Sequence, residues 1–375
     1  MRIGYFGLEN RSNVICLCNE LAKLGHYVQA HVCPVGSYDD YKLLNLDEKL
    51  EIFDYKHSLE LLSVKIFMVK SLKTVLKFKP DVLFGSHCQI SDLMSNLSRF
   101  IGKPYVIQLL DIPTWLIEME EKRRKQWSVW IPTLKKAKTI IVNHEVGREE
   151  LKKGCGIDIP PENVVIYGIN TEIADMVPDV DLSKEPMAVV SASRFVGFKA
   201  NHAIIEALAI LKKIGIDVKY YGIGVGDELK DCQTRAQGYE LDATFYPGVS
   251  DFKKWELIKK SRILIYPQQT EHIGGLPPYE AFYAERSVIV SDYRILHDLY
   301  GDYPVYFKKG RYDERDSVFV DVESLTERMC EMIENYDSDF YATKRIESKK
   351  YTEETATFKT MAKGINNVLE NSCHQ

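Results

Sequence analysis

Arg262-Ile-Leu-Ile-Tyr266 is a short apolar run of strand character, and Tyr279-Glu-Ala-Phe-Tyr-Ala284, entered through Pro277 and Pro278, has the composition of a helix. Between them lies Glu271-His-Ile-Gly-Gly-Leu-Pro-Pro-Tyr-Glu280, a glycine turn with a glutamate at either end. The start of a helix favours an anion, because its first amide N–H groups lack intrahelical partners and carry the positive end of the dipole. Gly274 and Gly275 let a ligand come close to the backbone, while Glu271 and Glu280 can accept hydrogen bonds from hydroxyls. The stretch predicts a site for a molecule bearing both phosphate and sugar hydroxyls. Read alone, it is equally an ordinary strand-to-helix turn with solvated glutamates.

A second motif shifts that balance. Ser191-Ala-Ser-Arg194-Phe-Val-Gly-Phe-Lys199-Ala-Asn-His202 follows the apolar run Met187-Ala-Val-Val190. It precedes a helical stripe at Ile204, Ala207, Leu208, Leu211 and Ile214. Arg194 and Lys199 therefore share one loop at the mouth of a strand–loop–helix unit, where a planar fork and a mobile point charge together make a phosphate clamp.

With both motifs in place, the chain resembles the retaining GT-B glycosyltransferases of family 4, most strongly over residues 187–300. Members carry an Arg, a Lys five residues later followed by Gly, and a pair of glutamates eight apart around Gly-Leu-Pro. Arg194 and Lys199 keep the spacing, and Gly275-Leu276-Pro277 and Glu280 fit. Ala200 stands where the family has Gly, and Glu271 lies nine positions before Glu280, so either Gly274 is an inserted residue or His272 takes the first-glutamate position. The resemblance implies that Arg194 and Lys199 bind the donor diphosphate and that Glu280 binds the ribose. It also implies that Glu271 or His272 faces the transferred sugar, with Gly274, Gly275, Leu276 and Pro277 lining the donor.

Composition agrees with such an enzyme. A chain of 375 residues is longer than one core usually accommodates, which predicts two domains. Hydrophobic residues make up 45% and charged residues 27%, the balance of a soluble globular protein. A net charge of −5 argues against general nucleic-acid binding, which needs a basic face. No apolar run approaches a membrane span and residues 1–6 read as a first strand without a signal peptide, so a cytoplasmic location is expected. The eight cysteines form no Cys-x-x-Cys pair and the nine histidines no metal-ligating spacing, so reduced thiols, no metal and no further cofactor are expected.

Strand-like and helical runs alternate along the whole chain, the pattern of parallel α/β domains. Strands are expected at Arg2–Phe6, Tyr27–Cys33, Leu50–Asp54, Asp81–Phe84, Tyr105–Leu110, Thr139–Val142 and Val164–Tyr167 in the first half. In the second half they are expected at Met187–Ser191, Val218–Gly222, Ala243–Tyr246, Ile263–Tyr266, Val288–Ser291 and Val305–Phe307. The fold class is α/β of GT-B type, with two Rossmann-like domains facing across a cleft. Residues 1–170 would form an acceptor-binding domain, 171–186 a linker rich in Pro and acids, 187–347 the nucleotide-sugar domain, and 348–375 a helix that the resemblance returns to the first domain.

Competing chemistries lack their signatures. A dinucleotide-dependent oxidoreductase needs G-x-G-x-x-G after a strand, whereas Gly222-Ile-Gly-Val-Gly226 misses the third glycine and reads as a strand-end loop that the resemblance puts near the nucleotide. The Asp-x-Asp pairs of metal-dependent GT-A transferases occur at Asp179-Val-Asp181 and Asp337-Ser-Asp339, but in the expected linker and an acidic helix-flanking stretch. On the acceptor side, Asp111 and His87 sit at strand C-terminal ends and Asn13 in the loop after the first strand. Glu121-Lys-Arg-Arg-Lys-Gln-Trp127-Ser-Val-Trp130 mixes cations with tryptophans, so residues 122–130 are expected to offer peripheral contact with anionic lipid on the cytoplasmic face and to suit a lipid-linked or glycan acceptor. A solvated helix face with core tryptophans is the plainer reading of that patch. Two other classes stay open: a GT-B nucleotide-sugar epimerase, and a non-catalytic nucleotide-sugar-binding protein.

Overall fold

A computed structural model describes residues 1–7, 11–32, 40–55, 71–110, 121–268, 275–310 and 320–373, with the backbone alone for 121–127 and 373. It divides into two compact units, Met1–Asn170 together with Thr355–Gln375, and Thr171–Glu354.

The first unit is built on a parallel sheet of β1 (Arg2–Gly7), β2 (Tyr27–Val32), β3 (Leu50–Asp54), β4 (Val82–Ser86), β5 (Tyr105–Leu109) and β6 (Thr139–Val142), in the order β3-β2-β1-β4-β5-β6. The second repeats that plan with β7 (Ala188–Ala192), β8 (Lys219–Ile223), β9 (Ala243–Tyr246), β10 (Ile263–Tyr266), β11 (Ser287–Ser291) and β12 (Val305–Phe307), in the order β12-β11-β10-β7-β8-β9. Every strand pairing in both sheets is parallel. Strands such as β1, β4, β7 and β10 are apolar in nearly every position because helices cover both faces of such a sheet. In each unit the chain reverses its direction of winding between the first strand and the fourth, and ligands in open α/β sheets collect outside the strand ends at that point.

Val164–Tyr167, expected as a strand, is not one. Only Val164 makes a bridge, to Val142, after the turn at Pro160 and Pro161. Residues 171–186, expected as a linker, are packed within the second unit. They hold the helix Thr171–Met176, and the ammonium of the buried Lys259 donates to the carbonyl of Val177 at 2.7 Å and to Asp179 at 2.8 Å. Arg262 anchors the same segment through the carbonyls of Leu182, Glu185 and Pro186.

The C-terminal part is two helices, Asp339–Thr355 and Phe358–Cys373, and the second packs against the helix Arg11–Lys23 of the first unit. The break between them is paired with the segment before Thr171: Ile169 N donates to Ala356 O at 2.9 Å and Phe358 N to Ile169 O at 3.1 Å. Gly168 permits this approach, since a Cβ there would lie 2.3 Å from the Thr357 carbonyl carbon.

Candidate functional site

The two loops singled out in the sequence leave β7 and β10, which are hydrogen-bonded neighbours at the point where the second sheet reverses its winding. Adjacency of the strands brings the loops together. After β7 the chain runs through Arg194 and a short 3-10 turn, Gly197–Lys199, then passes Ala200 at φ 48° into the helix Asn201–Lys213. The fully buried Asn201 side chain secures the loop, donating to Arg194 O at 3.0 Å and to Ser193 Oγ at 3.2 Å. The glycine loop after β8 zips against it: Ser193 N donates to Ile223 O, Phe195 N to Val225 O and Glu228 N to Phe195 O.

Arg194 is exposed, with its guanidinium carbon 5.5 Å from the centre of the Phe198 ring. Lys199 is half-buried and turned toward β10, where its ammonium donates to the Tyr266 hydroxyl and to Gln268 Oε1, both at 2.5 Å. Tyr266 in turn donates to Gln268 Oε1 at 3.0 Å, and Gln268 N donates to Ser291 Oγ at 2.7 Å. Burial pushes the Tyr266 phenol well above its ordinary range, opposed by its hydrogen bond with the Gly275 backbone and by the charge of Arg194, so the group stays neutral.

Gly275 rests on that phenol. A Cβ on Gly275 would lie 2.4 Å from the Tyr266 oxygen, so no other residue fits there without displacing Tyr266. The Gly275 carbonyl accepts from the Tyr300 hydroxyl at 2.5 Å. Leu276 leads into the helix Pro277–Tyr283, with prolines in the first two positions where no intrahelical donor is needed.

On that helix Glu280 is only 4% exposed. Its Oε1 accepts from Lys254 at 2.6 Å, and Lys254 also reaches Asp251 at 2.9 Å. Burial raises the Glu280 carboxyl above its usual range while the Lys254 charge opposes the shift. Burial likewise works against the Lys254 charge, but two flanking carboxylates outweigh it and its proton is held firmly. Glu280 Oε2 is buried without a hydrogen-bond partner among the described residues. An unfilled carboxylate oxygen costs about 1–3 kcal/mol or more, a cost that a hydroxyl donor would remove.

Of the expected donor-side residues, Arg194, Lys199, Gly275 and Leu276 thus lie on adjoining loops beyond the C-terminal ends of β7 and β10, and Pro277 and Glu280 on the helix that follows. Gly222 lies within β8, where its missing side chain admits the rings of Phe195 and Phe245 and the Tyr220 hydroxyl, all about 3 Å from a Cβ at that position. Glu271, His272 and Gly274 lie outside the described residues. Sequence reasoning missed Tyr266, Gln268, Asn201 and Lys254. The polar ending of an apolar strand, Tyr266-Pro-Gln268, was a signal for the first two; Lys254 had none, being one of several lysines on an amphipathic helix.

Of the residues expected on the acceptor side, His87 follows β4 at φ 74°, and its N–H donates to Gln108 O at 2.8 Å. Asn13 is half-buried in the helix Arg11–Lys23, and Asp111 lies outside the described residues. At the same edge the buried side chains of Ser86, Gln108 and Asn143 end three adjacent strands. Ser86 Oγ, Gln108 Oε1 and the neighbouring His144 Nε2 have no hydrogen-bond partner among the described residues. Those residues contain no cluster of three His, Cys, Asp or Glu suited to a metal ion, and no helix long and apolar enough to cross a membrane.

Two parallel sheets of this strand order, with a C-terminal helix returning to the first, make the chain a GT-B fold protein. Residues 174–337, most of the second unit, match the family model for glycosyl transferases group 1. Solved structures agree on the fold over the full length. HepE of Anabaena in complex with UDP and glucose superposes with a TM-score of 0.73 at 15% identity, covering 99% of each chain. Sucrose-phosphate synthase of Thermosynechococcus elongatus gives 0.75 at 12% identity, covering 99% of this chain and 98% of its own. A UDP-N-acetylglucosamine 2-epimerase homologue of Listeria monocytogenes gives 0.66 at 12% identity, over 98% and 95%. No curated protein matches the sequence.

Proposed function

We propose that the protein is a retaining glycosyltransferase that moves a hexosyl group from a nucleoside diphosphate sugar to a hydroxyl of a glycan or lipid-linked acceptor, without a metal ion. The observation that carries this reading is the meeting of Lys199 and Gly275 on the Tyr266 hydroxyl, a few residues from the unfilled oxygen of Glu280. Arg194 and Lys199 bear on the departing diphosphate, where preorganised charge stabilises the transition state most effectively. Glu280 accepts from the ribose through Oε2, while Glu271 or His272 holds the transferred sugar by its hydroxyls and so fixes its orientation. Asp111, His87 and Asn13 are the acceptor-side candidates. The likeness to HepE, whose structure holds UDP and glucose, supports a UDP-sugar as donor. Residues 122–130 would bring the enzyme to anionic lipid on the cytoplasmic face.

Transfer is tested by incubating UDP-, GDP- and ADP-hexoses with sugar and lipid-linked acceptors and following nucleoside diphosphate release, with proton NMR of the product for the anomeric outcome. Acceptor-dependent release with retention is the expected result. Isomerisation of donor alone would favour the epimerase reading that the Listeria likeness raises, and binding without release would favour a non-catalytic sugar-nucleotide binder.

A further inference from the structure

We propose that Tyr266 and Gln268 are positioning residues that present the Lys199 ammonium to the donor diphosphate; the inference rests on the donor-site reading above. Lys199 sits on a long flexible stem, and a lysine head group left in solvent samples many rotamers whose ordering opposes ligand binding. Here two acceptors fix it, the Tyr266 hydroxyl and Gln268 Oε1, each 2.5 Å away. Both are buried to within 2% of full coverage and both are uncharged, so they orient the ammonium without neutralising it. The acceptors are themselves tied down. Tyr266 donates to Gln268, whose backbone N–H is held by the buried Ser291, and the Gly275 turn closes over the phenol. The strand end thus supplies a rigid socket that sets the direction in which Lys199 offers its charge. A neutral socket also explains why a tyrosine stands at the last position of an otherwise aliphatic strand: Ile263, Leu264 and Ile265 pack in the core, whereas Tyr266 has a polar end to spend on the loop.

The test is calorimetric titration of UDP, GDP and ADP, and of the corresponding nucleosides, into wild type, Tyr266→Phe, Lys199→Ala and the double variant, with a melting curve for each. Gln268→Leu serves as a second probe of the socket. Tyr266→Phe is expected to weaken the nucleoside diphosphate about tenfold, equivalent to about 1.4 kcal/mol, while leaving nucleoside affinity unchanged. In the Lys199→Ala background the same change should have at most about a threefold effect, because residues that act through one another are not additive. Gln268→Leu should reproduce the diphosphate-selective loss. Equal weakening of diphosphate and nucleoside, full additivity with Lys199→Ala, or unchanged affinity would each overturn the proposal. If no diphosphate binds the wild type, the donor-site reading itself fails and the inference falls with it.

Discussion

At the scale of single residues, the decisive groups differ in what surrounds them. Arg194 is exposed beside the Phe198 ring of its own loop, whereas Lys199 is fixed by a buried hydroxyl and amide. Each charge-assisted phosphate contact contributes about 1.5–3 kcal/mol, so Arg194→Ala and Lys199→Ala should each lower kcat/KM by roughly ten- to a hundredfold, read from initial rates of nucleoside diphosphate release. His144 supports a prediction of another kind. Its Nδ1 accepts from Gly147 N at 2.8 Å and so caps the helix Glu145–Cys155, and burial pulls its pKa down to about 4. Below the ordinary histidine value of 6.5 the unfolded chain takes up a proton that the folded chain refuses. Stability is therefore complete above pH 6.5 and declines as the pH falls toward 4, by on the order of 3 kcal/mol from this residue. Urea unfolding at pH 7 and pH 4.5 should show the decline, and His144→Asn, which keeps a good cap, should reduce it. His31, with a pKa lowered to about 3 by burial among Phe6, Phe53 and Tyr55, leaves a residual decline of the same sign.

At the scale of elements, the loops after β7 and β8 form one piece of backbone. Gly224 has φ +142° and a Cβ there would lie 2.0 Å from Ser193 O, so Gly224→Ala forces apart the pairing that carries Arg194. A loss of about 2–3 kcal/mol is expected, together with weakened diphosphate affinity. Gly238→Ala is the control, since nothing lies within 4 Å of a Cβ at the end of the helix Leu229–Gly238, and thermal melting should be unchanged or slightly raised. Strand positions were legible in the sequence because apolar runs of three to six residues bounded by turns recur in alternation with helical stretches. Thr139–Val142, Ile263–Tyr266 and Val305–Phe307 match residue for residue. Val164–Tyr167 misled because Val-Val-Ile-Tyr has strand composition whether or not a partner edge is open to it. Within the site, Arg194, Lys199 and Glu280 stood out by charge and spacing. The socket beneath Lys199 did not, because the contact between positions 199 and 266 exists only through the adjacency of β7 and β10. Ala200 explains one departure from the resembled family: its φ of 48° is a conformation that glycine adopts freely and alanine at a cost of about 1–2 kcal/mol.

At the scale of the whole molecule, the chain passes from the first unit to the second after Asn170 and back before Thr355. The two passages are paired at Ile169 and Thr357, where Gly168 allows backbone to touch backbone. Gly168→Ala should destabilise the first unit by about 1–3 kcal/mol through overpacking, visible as a lowered melting temperature with the nucleoside diphosphate affinity of the second unit retained. The most direct measurement of the central claim is a thermal-shift screen of UDP, GDP, ADP and their hexose conjugates, with and without magnesium, on wild type and Lys199→Ala. Ligand at about 100 times its dissociation constant stabilises by about 2.7 kcal/mol. A metal-independent rise for one nucleotide, reduced to about half or less in Lys199→Ala, is the predicted result; no shift with any of them, or a shift undiminished by the substitution, would contradict the assignment of Lys199 and the second unit to the donor site.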